Sequence, residues 1–250
     1  MTEPAIESAE PPLRAPREIA VRLLALGAAV SRVTAESLLR SEPAGRARFQ
    51  AFVDRVLQWV DRSDLATDLS PLERDLLATP LGDLNHRRVF EYSWRLQSAP
   101  ALLWALGEWD FSPAYPRPVT ANEIQSRFRL GEPVADYLAT AALRPEADLR
   151  LECRKAEFWN WRAETEHQRR LLAAPTDFPF ASIVRDGAEE AHAAGLAETS
   201  GADVLFNAKP FGELSRAEFP AVASTAQERF LACSWICGYG PGWDVSSGES

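Results

Sequence analysis

Hydrophobic residues near the start of the chain recur at intervals of three and four, which is the period of an α-helix. The stripe consists of Ile19, Leu23, Leu26, Val30 and Val33. Such a stripe predicts a helix with one apolar face. Pro16 suits the first turn of this helix, and Pro43 with Gly45 ends it.

The same periodicity, together with capping residues and helix breakers, predicts helices along most of the remaining chain. Ser70, Pro71 and Glu73 form the pattern of a capping box with proline at the first helical position. The segment 108–120 contains three prolines and is predicted to be a surface loop. Helices are predicted over residues 49–60, 71–78, 83–107, 122–128, 133–142, 146–172, 180–194 and 215–238.

A kink is predicted within the helix at residues 83–107. Its stripe is made of Phe90, Trp94, Gln97, Ala101 and Trp104. Pro100 lies inside this stripe, and its ring clashes with the carbonyl group four residues earlier. We therefore expect the helix to bend near Leu96.

Strand signals are confined to one short stretch late in the chain. Residues 203–206 are a strand candidate, and residues 209–212 can return as its partner. The predicted fold is mostly α, a single irregular multi-helix bundle with a small β-hairpin near residues 203–212. Residues 1–15, rich in proline and acid, are predicted to form a disordered tail. Residues 16–245 are predicted to form one helical domain, onto which Trp243 docks.

Composition and charge exclude several classes of protein. Of the 250 residues, 46% are hydrophobic and 25% are charged, as in ordinary globular proteins. The net charge of −9 argues against nucleic acid as a partner, because phosphate binding needs clustered cations. The most apolar run, residues 19–30, is interrupted by Arg22 and is too short to cross a bilayer. The sequence therefore predicts a cytoplasmic protein that binds neither nucleic acid nor membrane.

The cysteines and histidines give no pattern for a disulfide framework or a metal site. Cys153, Cys233 and Cys237 are an odd number of cysteines, which favours free thiols buried in the core of a protein in a reducing compartment. The three histidines are scattered, without the spacing of a zinc site. We therefore predict no metal and no cofactor.

Tryptophan is the residue type that stands out, with eight in the chain, several of them beside a charged residue. One interpretation is a polar pocket with tryptophan walls, able to bind an anion or a planar ligand. The other is a tryptophan-rich core in which arginine–glutamate pairs hold helices in register. The candidate residues are Trp94, Arg95, Gln97, Trp104, Trp161, Arg162, Glu228, Arg229, Trp235, Trp243 and Asp244.

No catalytic motif accompanies this set of residues. The chain has no GxSxG, P-loop, GxGxxG or HExxH pattern. General acid–base catalysis would need a buried acid, and the sequence alone does not identify one.

Three groups of residues, taken in order, resemble the bacterial family of domains of unknown function numbered 4272. Their order and spacing agree over roughly residues 16–245. Since the family has no established activity, the resemblance implies no substrate, cofactor or catalytic residue. The groups are Trp94-Arg95 with Leu102-Leu103-Trp104-Ala105-Leu106-Gly107, then Leu143-Arg144 with Phe158-Trp159-Asn160-Trp161-Arg162, and last Glu228-Arg229 with Trp235, Gly238 and Trp243-Asp244.

The chain also departs from the pattern of the family that it resembles. Gln97 stands where the family tends to have glutamate, and Phe230 and Ser234 stand where histidine and asparagine are common. The Asp-Thr pair usual after Trp-Asp does not follow Trp243-Asp244. If those polar positions formed a catalytic site, this chain would be impaired, which lowers the expectation that it is an enzyme.

Two hypotheses about function follow. The favoured one is a non-enzymatic helical domain that binds a partner protein, as an adaptor or an immunity-type protein, because the chain is acidic and lacks catalytic motifs. The alternative is a small-ligand binder or an enzyme that uses a pocket of Trp, Arg and Glu residues. A large exposed apolar patch would support the first, and arginine and glutamate converging in a cavity would support the second. The oligomeric state stays open, including a homodimer formed through the hairpin and the tail.

Overall fold

A computed structural model describes residues 10–172, 178–239 and 242–244, and the fold is mostly α with a small β-hairpin, as predicted. The strands β1 (Leu205–Phe206) and β2 (Lys209–Pro210) pair in antiparallel fashion. The helices are α1 (Pro16–Ser41), α2 (Arg46–Arg62), α3 (Pro71–Ala78), α4 (His86–Arg95), α5 (Ala99–Ala105), α6 (Ala121–Ile124), α7 (Ala135–Thr140), α8 (Glu146–Leu171), α9 (Phe180–Ala193) and α10 (Phe219–Ile236).

Helix α1 lies at the centre of the fold and is buried on more than one face. Its predicted stripe from Ile19 to Val30 packs into the largest core cluster, together with α5, α8 and α10, whereas Val33 packs against Leu76 and Val89. Val21 and Leu24, on a different face, pack against Trp59 of α2. The periodicity predicted a single apolar face, whereas the structure also buries the others because α2, α3 and α4 pack around the same helix.

Three charged residues of α1, namely Arg22, Arg32 and Glu36, are buried and have partners. Arg22 Nη1 lies 2.5 Å from Glu73 Oε2, and Arg32 Nη1 lies 2.9 Å from Glu36 Oε2. The capping box at Ser70 is confirmed, and it places Glu73 in the first turn of α3, where it meets Arg22. These pairs satisfy charges that would otherwise be costly inside the protein. No helix within the described ranges is long and apolar enough to cross a membrane.

The predicted kink is confirmed as a 3-10 turn at Leu96–Ser98 that separates α4 from α5. Pro100 stands in the first turn of α5, where its missing N–H removes no helical hydrogen bond. The turn buries the side chains of Gln97 and Ser98. The proline therefore brings two polar side chains into the interior at the junction of the two helices.

The second half of the chain is organised by the packing of α10 on α8, and α9 also packs on α8, with Gly187 against Trp161. The hairpin is closed by Asn207 and Ala208, which have φ angles of 50° and 60°. Positive φ at both central residues is the requirement of a type I′ turn, which matches the twist of two strands. The hairpin follows α9 in the chain and is joined to α10 by a 3-10 turn at Phe211–Glu213 and residues 214–218.

Both ends of the described chain dock onto the body. Residues 10–15, which composition assigned to a disordered tail, make specific contacts, and the Arg14 N–H donates to the Ile236 carbonyl at 2.9 Å. The Arg14 guanidinium lies over the ring of Trp235, and Leu13 packs on the core, so a few anchors offset the polar composition. Residues 1–9 lie outside the described residues. The predicted docking of Trp243 is confirmed by its edge-to-face contact with Trp235, with ring centroids 5.4 Å apart.

Candidate functional site

The tryptophan, arginine and acidic residues predicted as one candidate site lie in several separate contacts in the structure. Arg95 Nη1 lies 3.7 Å from Glu228 Oε2, and the Ser98 hydroxyl donates to the same oxygen at 2.8 Å. Burial raises the pKa of Glu228. Glu228 is therefore a buried acid of the kind that acid–base catalysis requires, but its carboxylate is engaged by Arg95 and Ser98. Trp94 packs edge-to-face on the exposed ring of Phe90.

Gln97 anchors the end of the loop at residues 108–120. Its side-chain amide donates to the Val119 carbonyl and accepts from the Val119 N–H, both at 2.8 Å. An ionised glutamate accepts hydrogen bonds and donates none, so it could not make both contacts. The glutamine that distinguishes this chain from the pattern described above therefore has a structural role here.

Arg162 belongs to a buried ionic network between α8 and the hairpin region. Its Nε and Nη2 atoms each lie 2.7 Å from an oxygen of Asp203, in a two-pronged contact. Nη2 also lies 3.4 Å from Glu166 Oε2, and Arg169 and Arg170 neutralise the other oxygen of Glu166. Hydrogen bonds from these two arginines lower the pKa of Glu166 against the opposing effect of its burial.

The remaining tryptophans of the candidate set serve packing. Trp104 lies beneath the guanidinium of Arg144, which also donates to the Trp104 carbonyl at 2.8 Å. Trp161 packs on Phe158, with ring centroids 5.5 Å apart. Trp243 lies under Arg22, and the neighbouring Asp244 accepts a hydrogen bond from the backbone N–H of residue 72 at 3.0 Å. These contacts match the structural interpretation of the tryptophan–arginine pattern.

Arg229 differs from the other buried arginines of the set. It is 2% exposed, and its Nη1 and Nη2 atoms donate to the carbonyls of Pro113 and Arg117 at 2.8 and 3.4 Å. Its Nε atom is buried without a hydrogen-bond partner, and no carboxylate of the described residues pairs with it. Burial lowers the pKa of Arg229 to about 9, because an unneutralised charge in the interior is costly.

Arg229 lines a cavity of about 820 Å³, the Arg229 pocket, which lies between the 108–120 loop, α8, the end of α9 and the hairpin. This size falls within the range typical of small-ligand sites. Among the predicted candidate residues, Arg229 is the member that reaches it. The lining residues are Trp109, Phe111, Ser112, Tyr115, Arg117, Val119, Lys155, Trp159, His192, Gly195, Leu196, Ala197, Glu198, Leu205, Asn207, Ala208 and Arg229.

One wall of the pocket is a fixed group of aromatic rings. Tyr115 stacks on Phe206 with ring centroids 5.2 Å apart, and meets Trp159 edge-to-face at 5.6 Å. Trp109 and Phe111 form a second edge-to-face pair, at 6.1 Å. Aromatic walls of this kind bury the apolar part of a ligand without losing much side-chain entropy.

The hairpin turn closes the pocket through the hydroxyl group of Tyr115. This hydroxyl accepts from the Asn207 N–H at 2.7 Å and donates to the Asn207 side-chain oxygen at 3.0 Å. Non-glycine residues with positive φ carry backbone strain, and such strain persists only where the surroundings hold it. Here Tyr115 holds the turn of Asn207 and Ala208 against the aromatic wall.

The other two cations of the pocket are neutralised by neighbouring acids. Lys155 Nζ lies 2.8 Å from Glu152 Oε1, and Glu152 also accepts from the Ser112 hydroxyl at 2.6 Å. Arg117 Nη2 lies 3.0 Å from Glu123 Oε1. The Arg229 charge is therefore the one that an incoming anion could compensate.

Sequence reasoning found Arg229 but missed most of the pocket. Tyr115 and the His192–Glu198 segment carry no motif, and they become neighbours only when the hairpin folds onto α8 and the loop. The buried free thiols are confirmed for all three cysteines. Within residues 10–172, 178–239 and 242–244, no group of three or more histidine, cysteine or acidic side chains is arranged to hold a metal ion.

Comparison with known proteins identifies a family and nothing beyond it. No curated protein and no solved structure gives a significant match. The family model described as a domain of unknown function, DUF4272, matches residues 2–174, which is more than half of the chain. The third group of motif residues, from Glu228 to Asp244, lies beyond this match. The chain thus belongs to the DUF4272 family of domains of unknown function.

Proposed function

We propose that this protein binds a small organic ligand in the Arg229 pocket. The observation that carries the proposal is a buried, positively charged side chain without an acidic partner in the wall of an aromatic cavity. Burying such a charge destabilises the folded chain, and a bound anion would compensate for it. Strongly perturbed ionisable groups in concave sites are typical of functional positions.

The arrangement supports binding more directly than catalysis. Ser112 lines the pocket, but its hydroxyl already donates to Glu152, which Lys155 holds in place. His192 is exposed at the end of α9. The groups suited to binding are a buried cation held by two carbonyl groups and aromatic rings that contact one another.

Native mass spectrometry on protein purified gently from its own host tests the proposal. We expect a small bound mass that is lost in the Arg229→Gln variant. The Arg216→Gln variant removes the same charge from an exposed position outside the pocket and should keep the mass. A small mass that survives Arg229→Gln would refute binding at this pocket.

The hypothesis of a protein partner stays a prediction, and the same experiment addresses it. A second protein that co-purifies with wild type and with both variants would favour an adaptor or immunity-type role. Exposed large apolar side chains suited to such a partner occur on several elements, among them Leu38 of α1, Leu57 of α2 and Phe90 of α4.

A further inference from the structure

The balance of charge in the Arg229 pocket sets the charge of the ligand. Lys155 and Arg117 are paired with Glu152 and Glu123, so Arg229 contributes one uncompensated positive charge. The exposed Glu198 adds a negative charge to the lining. A ligand with several negative charges would leave most of them without partners and would meet the carboxylate of Glu198. Because no carboxylate of the described residues pairs with Arg229, a ligand with one negative charge directed at this side chain fits the lining best.

The N–H groups of Arg229 that have no hydrogen-bond partner indicate which kind of anion the pocket binds. A guanidinium has five N–H groups, and here one on each terminal nitrogen is directed to the carbonyls of Pro113 and Arg117. The Nε–H has no partner. Two parallel N–H groups on one edge of a guanidinium match the two oxygens of a planar carboxylate, which carries a single negative charge, whereas a phosphate group carries more than one at neutral pH. The remaining donors suit a carboxylate.

The aromatic rings of the pocket indicate the chemistry of the apolar part of the ligand. Tyr115 and Trp159 are in edge-to-face contact. Phe111, which forms the second ring pair with Trp109, is 70% exposed. An exposed phenylalanine beside an aromatic wall offers apolar surface that a flat ring would cover. An aliphatic chain would bury less of this surface and lose more conformational entropy.

We infer that the ligand is an aromatic monocarboxylic acid, with its carboxylate directed at Arg229 and its ring against Tyr115 and Trp159. This inference rests on the proposed function, because it specifies the chemistry of a ligand at the same pocket. It also assigns a role to the segment from His192 to Arg229, which completes the pocket but lies beyond the part of the chain that matches the family model.

The test compares probes that differ in one property, by ligand-observed NMR titration of the full chain. The probes are 2-naphthoate, its neutral amide 2-naphthamide, the ring-free acid hexanoate, and inorganic phosphate. We expect 2-naphthoate to bind at least roughly tenfold more tightly than each of the others, the difference expected for one charge-assisted contact. Arg229→Gln should remove the preference for acid over amide, and Arg216→Gln should preserve it.

A second variant keeps the test informative if Arg229→Gln folds poorly. Arg229→Lys retains the charge, so it should retain part of the preference for the acid. Equal binding of acid and amide to wild type would overturn the inference. Binding of phosphate or hexanoate alone, lost in Arg229→Gln, would overturn the ligand class while the proposed function survives. Failure of all four probes to bind, with no small mass in native spectrometry, would overturn both.

Discussion

Two arginines of equal burial show how the surroundings of a residue decide its role. Arg162 and Arg229 are each 2% exposed. Arg162 is neutralised by Asp203 and Glu166, whereas Arg229 donates to carbonyl oxygens. Removal of one member of a buried ion pair leaves the other charge without a partner, but removal of an unpaired cation leaves no such charge. The first arginine therefore stabilises the fold, and the second keeps a buried positive charge that no carboxylate of the described residues neutralises.

This difference predicts losses of stability of different size for the same substitution. Arg162→Gln should lower the free energy of unfolding by about 3–5 kcal/mol, because Asp203 keeps a buried charge. Arg229→Gln should change it by less than about 1 kcal/mol, since the loss of hydrogen bonds to two carbonyls is offset by removal of an unpaired charge. Urea denaturation measures both values. A loss of several kcal/mol in Arg229→Gln would show that this arginine is a structural clamp for the loop.

At the scale of single elements, the close approach of a buried side chain to a helix restricts which residues fit at the contact. Gly27 lies in the buried helix α1, where a Cβ atom would come within 2.6 Å of Phe128 Cβ and Cγ. Phe128 is buried in the 3-10 turn at Gln125–Phe128, so its side chain has little room to move. The glycine therefore sets the distance between α1 and this turn.

Gly27→Ala should destabilise the protein although alanine favours helices. Overpacking costs about 1–3 kcal/mol, while the gain in helix propensity is at most about 1 kcal/mol. Thermal unfolding by circular dichroism measures the effect. Ser37→Ala, at an exposed position of the same helix, is the matched control and should stay within about 0.5 kcal/mol of wild type. Equal effects at both positions would contradict the close packing of α1 on Phe128.

The turn that leads into α10 depends on pH through the carboxylate of Glu218, which forms a reciprocal capping pair with Ser215. Hydrogen bonds from the backbone and the hydroxyl group of Ser215, and from Lys209, lower the pKa of Glu218 from 4.5 to about 2. Ionised Glu218 thus stabilises the folded state above pH 4.5, and this contribution is lost as the pH falls through about 2. The difference in melting temperature between wild type and Glu218→Gln should shrink over this interval. A constant difference from pH 7 to pH 2 would contradict the capping role.

At the scale of the whole molecule, the hydrophobic core extends further along the chain than the match to the family model. The match covers residues 2–174. The main hydrophobic core, however, includes Val204, Phe211 and much of α10, packed on Trp159 and Ala163 of α8. The Arg229 pocket also draws one side from each part. Residues beyond 174 are therefore needed for both the core and the pocket.

A fragment of residues 1–174 should not fold as a unit. Loss of α10 exposes the apolar face of α8 and removes side chains from the largest core cluster. We expect the fragment to retain helical circular dichroism but to lose a cooperative thermal transition and to bind a dye for exposed apolar surface. A sharp, reversible melting transition in the fragment would show that the second part is a separate domain.

Local signals in the sequence determined the secondary structure because they act within a few residues. The capping pattern at Ser70, the proline at residue 100 and the helical periodicity each restrict the backbone directly, and the predicted helices, kink and hairpin follow from them. The burial of α1 on several faces did not follow, because it depends on which helices pack around it.

The site belongs to the tertiary structure. The sequence identified the candidate arginines but could not distinguish Arg162 from Arg229. Arg162 pairs with Asp203, which lies 41 residues further along the chain, whereas no carboxylate of the described residues pairs with Arg229. Nor could the sequence bring Tyr115 to Asn207, 92 residues apart. Whether a charge is paired depends on groups that only the folded chain brings within a few ångströms. The sequence therefore determined the elements and their ends, and packing decided which buried charge has an acidic partner and which does not.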